Sequence, residues 1–156
     1  MEEPLAVPGL VAIDHVGVAV PDLEAAIAFY TEVLGLVLLH REVNADQGVA
    51  EAMLGAPGSR SGTQLQLLAP LTAESAIARF LERSGPGLQQ LAYQVDDIDH
   101  ATSVLRKKGL RLLYDSSRTG TAGARINFVH PKDTGGVLIE LVQSASAQDR
   151  MEAPHS

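Results

Sequence analysis

Two stretches decide the fold: Asp14–Tyr30, DHVGVAVPDLEAAIAFY, and Gln89–Leu105, QQLAYQVDDIDHATSVL. Laid over one another they keep one pattern. His15 falls on Gln90, Val20 on Val95, Asp22 on Asp97, Leu23 on Ile98 and Ala26 on Ala101. Further along, Leu36 falls on Leu110, Leu39 on Leu113, and Gln66 of LQLL on Glu140 of IELV. Self-similarity of this kind marks a repeated structural unit. Each copy carries a metal-capable side chain near its start and another near its end. That placement predicts one shared site with four donors.

Working outward, each copy reads as strand, helix, strand, strand, strand. Residues 11–20 form an apolar strand, and Asp22 can cap the helix that follows. Leu23, Ala26, Ile27, Tyr30, Val33 and Leu34 recur at helical spacing, and Gly35 ends the run. Strands follow at 36–43, 48–54 and 63–69. In the second copy a strand covers 90–95. Asp97 caps a helix at 98–108 with Ile98, Ala101, Val104 and Leu105 inward, and Gly109 ends it. Strands follow at 110–114, 124–130 and 136–143. Between the copies, Ala73–Arg83 reads as a connecting helix with Ile77, Phe80 and Leu81 on one face, stopped by SGPG. The resulting division is a tail at 1–10, a first unit at 11–70, the connecting helix at 71–87, a second unit at 88–143 and a tail at 144–156.

Strand alternation tells where the polar residues point, since i and i+2 share a face. Val16, Val18 and Val20 form a row opposite His15. Leu65 and Leu67 oppose Gln66. Leu91, Tyr93 and Val95 oppose Gln90, and Ile139 and Leu141 oppose Glu140. In all four strands the apolar row can pack on the helices while the polar residue faces away. The fold class predicted is α+β: two tandem βαβββ units forming a cupped mixed sheet, with all four polar residues turned into the cup.

Composition narrows the chemistry. The chain has no cysteine, which excludes disulfides and thiolate chemistry. A metal would be held by imidazole, carboxylate and amide oxygen, a donor set for borderline to hard divalent ions. The net charge of −7 argues against nucleic-acid binding by bulk electrostatics. No apolar run approaches a membrane span, and the acidic start, MEEPLAVPGL, lacks the form of a secretory signal. A cytoplasmic location is expected.

The segments IDHVGVAV, PDLEAAIAFYTEVLGL, TQLQLLAP, VDDID and HPKDTGGVLIELV resemble the vicinal oxygen chelate superfamily over residues 11–143. REVNADQGVAEAML and LLAPLTAESAIARFLERSGPGL resemble its methylmalonyl-CoA epimerase family in particular. The resemblance implies metal ligands at His15, Gln66, Gln90 and Glu140. It also implies a divalent cofactor, among cobalt, manganese, nickel, magnesium and zinc. One position departs from the pattern: where the family reads GLHH, this chain reads GLQQ, so Gln90 offers an amide oxygen in place of an imidazole.

The implied reaction is epimerisation of (2R)- and (2S)-methylmalonyl-CoA by α-proton abstraction and return through a metal-stabilised enolate. Inversion at a carbon needs acid/base groups on both faces. The family's two glutamates map to Glu51, in QGVAE, and Glu140, which would be ligand and base together. The implied partner is a coenzyme A thioester. Its phosphates could meet Arg118 and Arg125, which flank the loop RTGTAGAR, with Lys132 beyond. His40, His100 and His155 have no partner legible in the sequence. Superfamily members commonly pair two chains, so a homodimer is implied, with the helix at 73–83 a candidate contact surface.

Two other readings compete. One is another metalloenzyme of the superfamily, such as a glyoxalase or an extradiol dioxygenase. The dioxygenase is disfavoured because such iron sites use two histidines. The other is a binding protein that kept the cup and lost the metal.

Overall fold

The structure is a computed structural model and describes residues 6–58 and 62–145. The outer parts of both expected tails, with His155, lie outside them. The chain divides into two compact units. One is Asp14–Leu91; the other joins residues up to Ile13 with those from Ala92 on. The division runs through two strands, β1 (Leu10–Ala19) and β5 (Gly87–Val95).

In the Asp14–Leu91 unit, β1 leads into helix α1 (Leu23–Ala28), then β2 (Val37–Asn44), β3 (Val49–Gly55), β4 (Gln64–Pro70) and helix α2 (Ala76–Ser84). The strands run in the order β2-β3-β4-β1. β2 and β3, and β3 and β4, are antiparallel, while β1 lies parallel to β4 with Gly17 opposite Gln66. The sheet is therefore mixed, as expected. Its apolar row, Val18, Val20, Ala52, Leu54, Leu65, Leu67 and Ala69, packs on Leu23, Ala26, Ile27 and Tyr30. The Asp22 carboxylate accepts from Ala25 N at 3.1 Å and starts the helix. Burying side chains of this kind contributes about 1.5–3 kcal/mol each.

The opposite face of the same sheet carries α2 at one end. Ile77, Phe80 and Leu81 cover Ala19, Val49 and Leu68. The apolar stripe of this helix is thus turned onto its own sheet. The helix opens at Ala76 because the Ser75 hydroxyl caps Ala78 N at 3.1 Å.

The other unit repeats the plan. After β5 come helix α3 (Ile98–Lys107), β6 (Arg118–Thr119), β7 (Arg125–Val129) and β8 (Leu138–Gln143), ordered β5-β8-β7-β6. Asp97 caps α3 through His100 N at 3.0 Å. Ile98, Ala101 and Leu105 pack on Val95, Val129 and Leu141.

Two expectations are corrected. The first helix does not run regularly to Leu34: it widens into a π-turn at Phe29–Val33, closed by Leu34 N to Phe29 O at 3.3 Å. The wider turn rotates the last residues outward, and Val33 and Leu34, expected inside, are 67% and 56% exposed. The segment 110–114 is not a strand. Leu112 makes an isolated bridge to Val129, after which the Asn127 side chain takes over the pairing. Its Oδ1 accepts from Tyr114 N at 3.2 Å and its Nδ2 donates to Tyr114 O at 3.0 Å. One buried amide thus replaces the backbone ladder. Short β6, absent from the sequence reading, pairs with Arg125 and Ile126 beyond this detour.

Candidate active site

The face of the Asp14–Leu91 sheet opposite α1 gathers the polar residues. His15 and Gly17 point to it from β1, Gln66 from β4 and Glu51 from β3. His15, Glu51 and Gln66 are each only 3% exposed. A buried polar group must find partners or lose stability, and here the partners are one another. Gln66 Nε2 donates to Glu51 Oε2 at 2.9 Å, and Gln90 Nε2 donates to Gln66 Oε1 at 3.1 Å.

This row has a fixed direction. An ionised carboxylate only accepts, so the Gln66 amide turns its NH₂ to Glu51. Its carbonyl oxygen then faces Gln90, which must donate. Gly17 makes room for the arrangement. A Cβ at Gly17 would stand 2.5 Å from Gln90 Cγ, so only glycine lets the Gln90 side chain lie across β1 toward Gln66.

His15 is oriented from behind. Its Nδ1 lies 2.6 Å from Asp14 Oδ2, which puts a ring proton on that side. A carboxylate behind an imidazole is the arrangement that positions metal-ligating histidines. Among the described residues no three of His, Cys, Asp and Glu gather as a metal group. The expected ligand set is half amide, so the fit rests on its donors: one oriented imidazole, two amide oxygens and a carboxylate, all suited to a borderline or hard divalent ion.

Glu140 belongs to the other unit. It lies on β8 opposite Phe128 of β7 and is 5% exposed. The same face carries Ala92, Ala124, Ile126, Phe128 and Val142, with Tyr114 and Leu138 against them. This carboxylate thus shares its face with apolar side chains, whereas Glu51 is joined to a row of amides.

The structure joins Glu51, Gln66 and Gln90 by hydrogen bonds and sets His15 on the same face. The basic residues named for phosphate contact are less uniform. Arg125 is turned inward on its own loop, donating to Ser117 O, Ser117 Oγ and Thr119 Oγ1. The Arg118 guanidinium lies 3.8 Å from the Tyr114 ring centroid, and Lys132 is exposed. A cavity of about 320 Å³ opens beside the β2–β3 turn and the start of α2, lined by Asp46, Gln47, Glu74, Ser75 and Arg79 among others. It contains none of the buried row.

Three neighbours of this face went unassigned in the sequence. Gly17 and Asp14 flank His15 and left no periodic signal. His40, without a legible partner, lies with Nε2 at 2.7 Å from Glu42 Oε1; the i, i+2 spacing on one strand was the available clue.

Known proteins share this fold. The profile of the glyoxalase/bleomycin resistance protein/dioxygenase superfamily matches residues 14–128. The crystal structure of methylmalonyl-CoA epimerase from Mycobacterium tuberculosis superposes with a TM-score of 0.86 at 52% identity, over 94% of this chain and 97% of that one. The chain belongs to this superfamily and, within it, to the methylmalonyl-CoA epimerases. The mitochondrial methylmalonyl-CoA epimerase of Homo sapiens is 38% identical over 133 residues, 85% of this chain and 73% of the human protein. A methylmalonyl-CoA epimerase solved in complex with methylmalonyl-CoA and NH4+ superposes with a TM-score of 0.84 at 44% identity, over 88% of this chain and 97% of that one.

Proposed function

We propose that this chain interconverts the (2R) and (2S) forms of methylmalonyl-CoA, with Glu51 and Glu140 as the two acid/base groups. The observation that carries the reading is the buried row Glu51–Gln66–Gln90 beside the Asp14-oriented His15. Epimerisation breaks the C–H bond α to a thioester and a carboxylate. One group removes the proton from one face of the carbon and the other returns a proton to the opposite face.

Glu51 is held for this by the Gln66 N–H, which donates to one carboxylate oxygen. Burial keeps bulk water from competing for that oxygen. Glu140 is 5% exposed, opposite Phe128 on the face that also carries Ile126 and Val142. His15 Nε2, the Gln66 and Gln90 amide oxygens and Glu140 would hold the divalent ion that this superfamily generally uses. When bound, such an ion supplies positive charge for the enolate oxygen. Arg118 and Lys132 are the basic side chains left exposed for the coenzyme A phosphates. A homodimer and a cytoplasmic location accompany this reading; sedimentation measures the first. Among the described residues no helix is long and apolar enough to cross a membrane.

The test is loss of the α-proton of methylmalonyl-CoA in heavy water, followed by proton NMR with and without prior chelation. Chelator-sensitive exchange with loss of configuration is expected. No exchange with any added divalent ion overturns the reading. Gln90→His should tighten metal binding by about tenfold, since imidazole is the stronger ligand. An unchanged affinity by calorimetry removes Gln90 from the ligand set.

A further inference from the structure

We propose that Glu42 and His40 form a proton exit for Glu51, resetting the enzyme between turnovers; the proposal rests on the assignment of Glu51 as a base. The need comes from the chemistry. In the direction where Glu51 removes the α-proton, the C–H bond breaks and Glu51 becomes a carboxylic acid. Glu140 gives its proton to the other face and becomes a carboxylate. The product leaves an enzyme with its two protonation states exchanged. Before the next turnover in that direction Glu51 must lose a proton to solvent, and Glu140 must take one from solvent.

Glu51 is only 3% exposed, and a route along its own strand pair would serve this exchange. The register supplies a route. Glu42 of β2 is the direct cross-strand partner of Glu51 on β3. Directly opposite residues of an antiparallel pair share a face, with Cβ atoms about 4.5–5.5 Å apart. Two residues on, His40 of the same strand is opposite Met53, on that face again. Its Nε2 stands 2.7 Å from Glu42 Oε1. Exposure rises along the row: the Glu42 side chain is 28% exposed and that of His40 41%. Arg41, between them in sequence, points to the other face and pairs with Glu24 of α1, so the row is not crossed by a cation from its own strand.

The transfer balances as three proton hops. The O–H bond of Glu51 breaks as one forms on the Glu42 carboxylate. That proton passes to Nε2 of neutral His40, restoring the Glu42 carboxylate. The imidazolium then releases a proton to water or buffer. No other reactant is consumed. His40 and Glu42 do not touch substrate; they act through Glu51.

A reset step follows product release, so it limits kcat and leaves kcat/KM untouched. For His40→Ala and His40→Gln, kcat should fall about tenfold while kcat/KM stays within about twofold. Product inhibition should turn from competitive to noncompetitive, because product then traps the unreset enzyme. Imidazole added to His40→Ala should restore kcat, since it replaces the missing carrier. Glu42→Gln should lower kcat in the same way. An unchanged kcat in these variants overturns the relay. So does an equal fall of kcat and kcat/KM without imidazole rescue, the mark of a structural role. If the unaltered protein fails to epimerise the substrate at all, it is the assignment of Glu51 that fails.

Discussion

The two copies of the βαβββ unit share a backbone plan and one packed face, and differ on the other face. In both, an Asp-capped helix covers a row of branched apolar residues. On the opposite face the registers allow a residue-by-residue comparison. In the first copy Met53 is opposite Gln66, and Glu51 is opposite Leu68. In the second Phe128 is opposite Glu140, and Ile126 is opposite Val142. The counterpart of Glu51 is therefore Ile126, and that of Gly17 is Ala92. The first copy lines that face with the His15 imidazole, the Gln66 amide and the Glu51 carboxylate. The second carries Gln90 and Glu140 on it, with apolar side chains at the remaining positions. Duplication supplied two equivalent frames, and the chemistry was built by making their free faces unequal.

The largest effect should come from removing either carboxylate. Glu51→Gln keeps the shape and the hydrogen bonding of the row but loses the base, so turnover should fall by about 10³-fold with metal binding retained. Glu140→Gln should lose turnover as fully and weaken metal binding as well. Steady-state kinetics paired with calorimetric metal titration separates the two. Normal turnover by either variant would remove the two-base assignment, and with it the functional meaning of the inequality.

The next effect concerns how the second copy holds its edge. Asn127 is buried and serves both backbone polar groups of Tyr114. Asn127→Ala leaves Tyr114 N–H without that acceptor, and stability should drop by about 1–3 kcal/mol, read by urea unfolding. A neutral result would mean that the Arg106 guanidinium, 2.7 Å from Tyr114 O, and the backbone bonds of Arg111 to His130 and of Leu113 to Phe128 hold the segment without it.

This is also where reading the sequence stopped. Caps, helix ends and alternation are local, and Asp22, Asp97, Gly35 and Gly109 announced them. His15, Gln66, Gln90 and Glu140 were legible because duplication placed them at matching positions. Glu51 was not legible by itself, being one strand glutamate among several, and came only with the family resemblance. The loss of the strand at 110–114 depends on an asparagine 13 residues away whose side chain mimics a backbone partner. The π-turn at Phe29–Val33 was hidden because Val33 and Leu34 keep helical spacing in sequence. Contacts made by side chains across long separations leave no period to detect.

A smaller change probes the cradle under Gln90. Gly17→Ala puts a methyl 2.5 Å from Gln90 Cγ and forces that side chain aside. The second copy already carries alanine at the matching position. The variant should lose about 1 kcal/mol of stability through overpacking, with a larger proportional loss of activity because the row from Gln90 to Glu51 is opened. Thermal unfolding and kinetics on one preparation check this. Activity retained at full level would show that Glu51 does not depend on its amide support.

The smallest effect compares the two edges directly. In the first copy β2 pairs with β3 by a ladder from Val37 to Asn44, and the exposed Arg41–Glu24 pair is an addition to it. In the second, residues 110–114 lack such a ladder, and Asp133 accepts from Arg111 Nε and Nη2 at 3.0 Å and from Arg111 N at 2.9 Å. The guanidinium bonds first, then the backbone N–H, hold the Asp133 carboxyl down from 3.8 to about 2. A carboxylate whose folded pKa is lowered stabilises the fold fully above its unfolded value, and loses that contribution as pH falls toward the folded one. Asp133→Asn should therefore be less stable than the unaltered chain at neutral pH. The gap should close between about pH 4 and pH 2, and added salt should narrow it, because the pair is exposed. Glu24→Gln should change stability less, since the β2 ladder remains. Amide hydrogen exchange at Arg111–Leu113 and at Leu39–Arg41 gives the local answer. Equal sensitivity of the two edges would mean that the ladder in the first copy contributes no more than the side-chain clamps that replace it in the second.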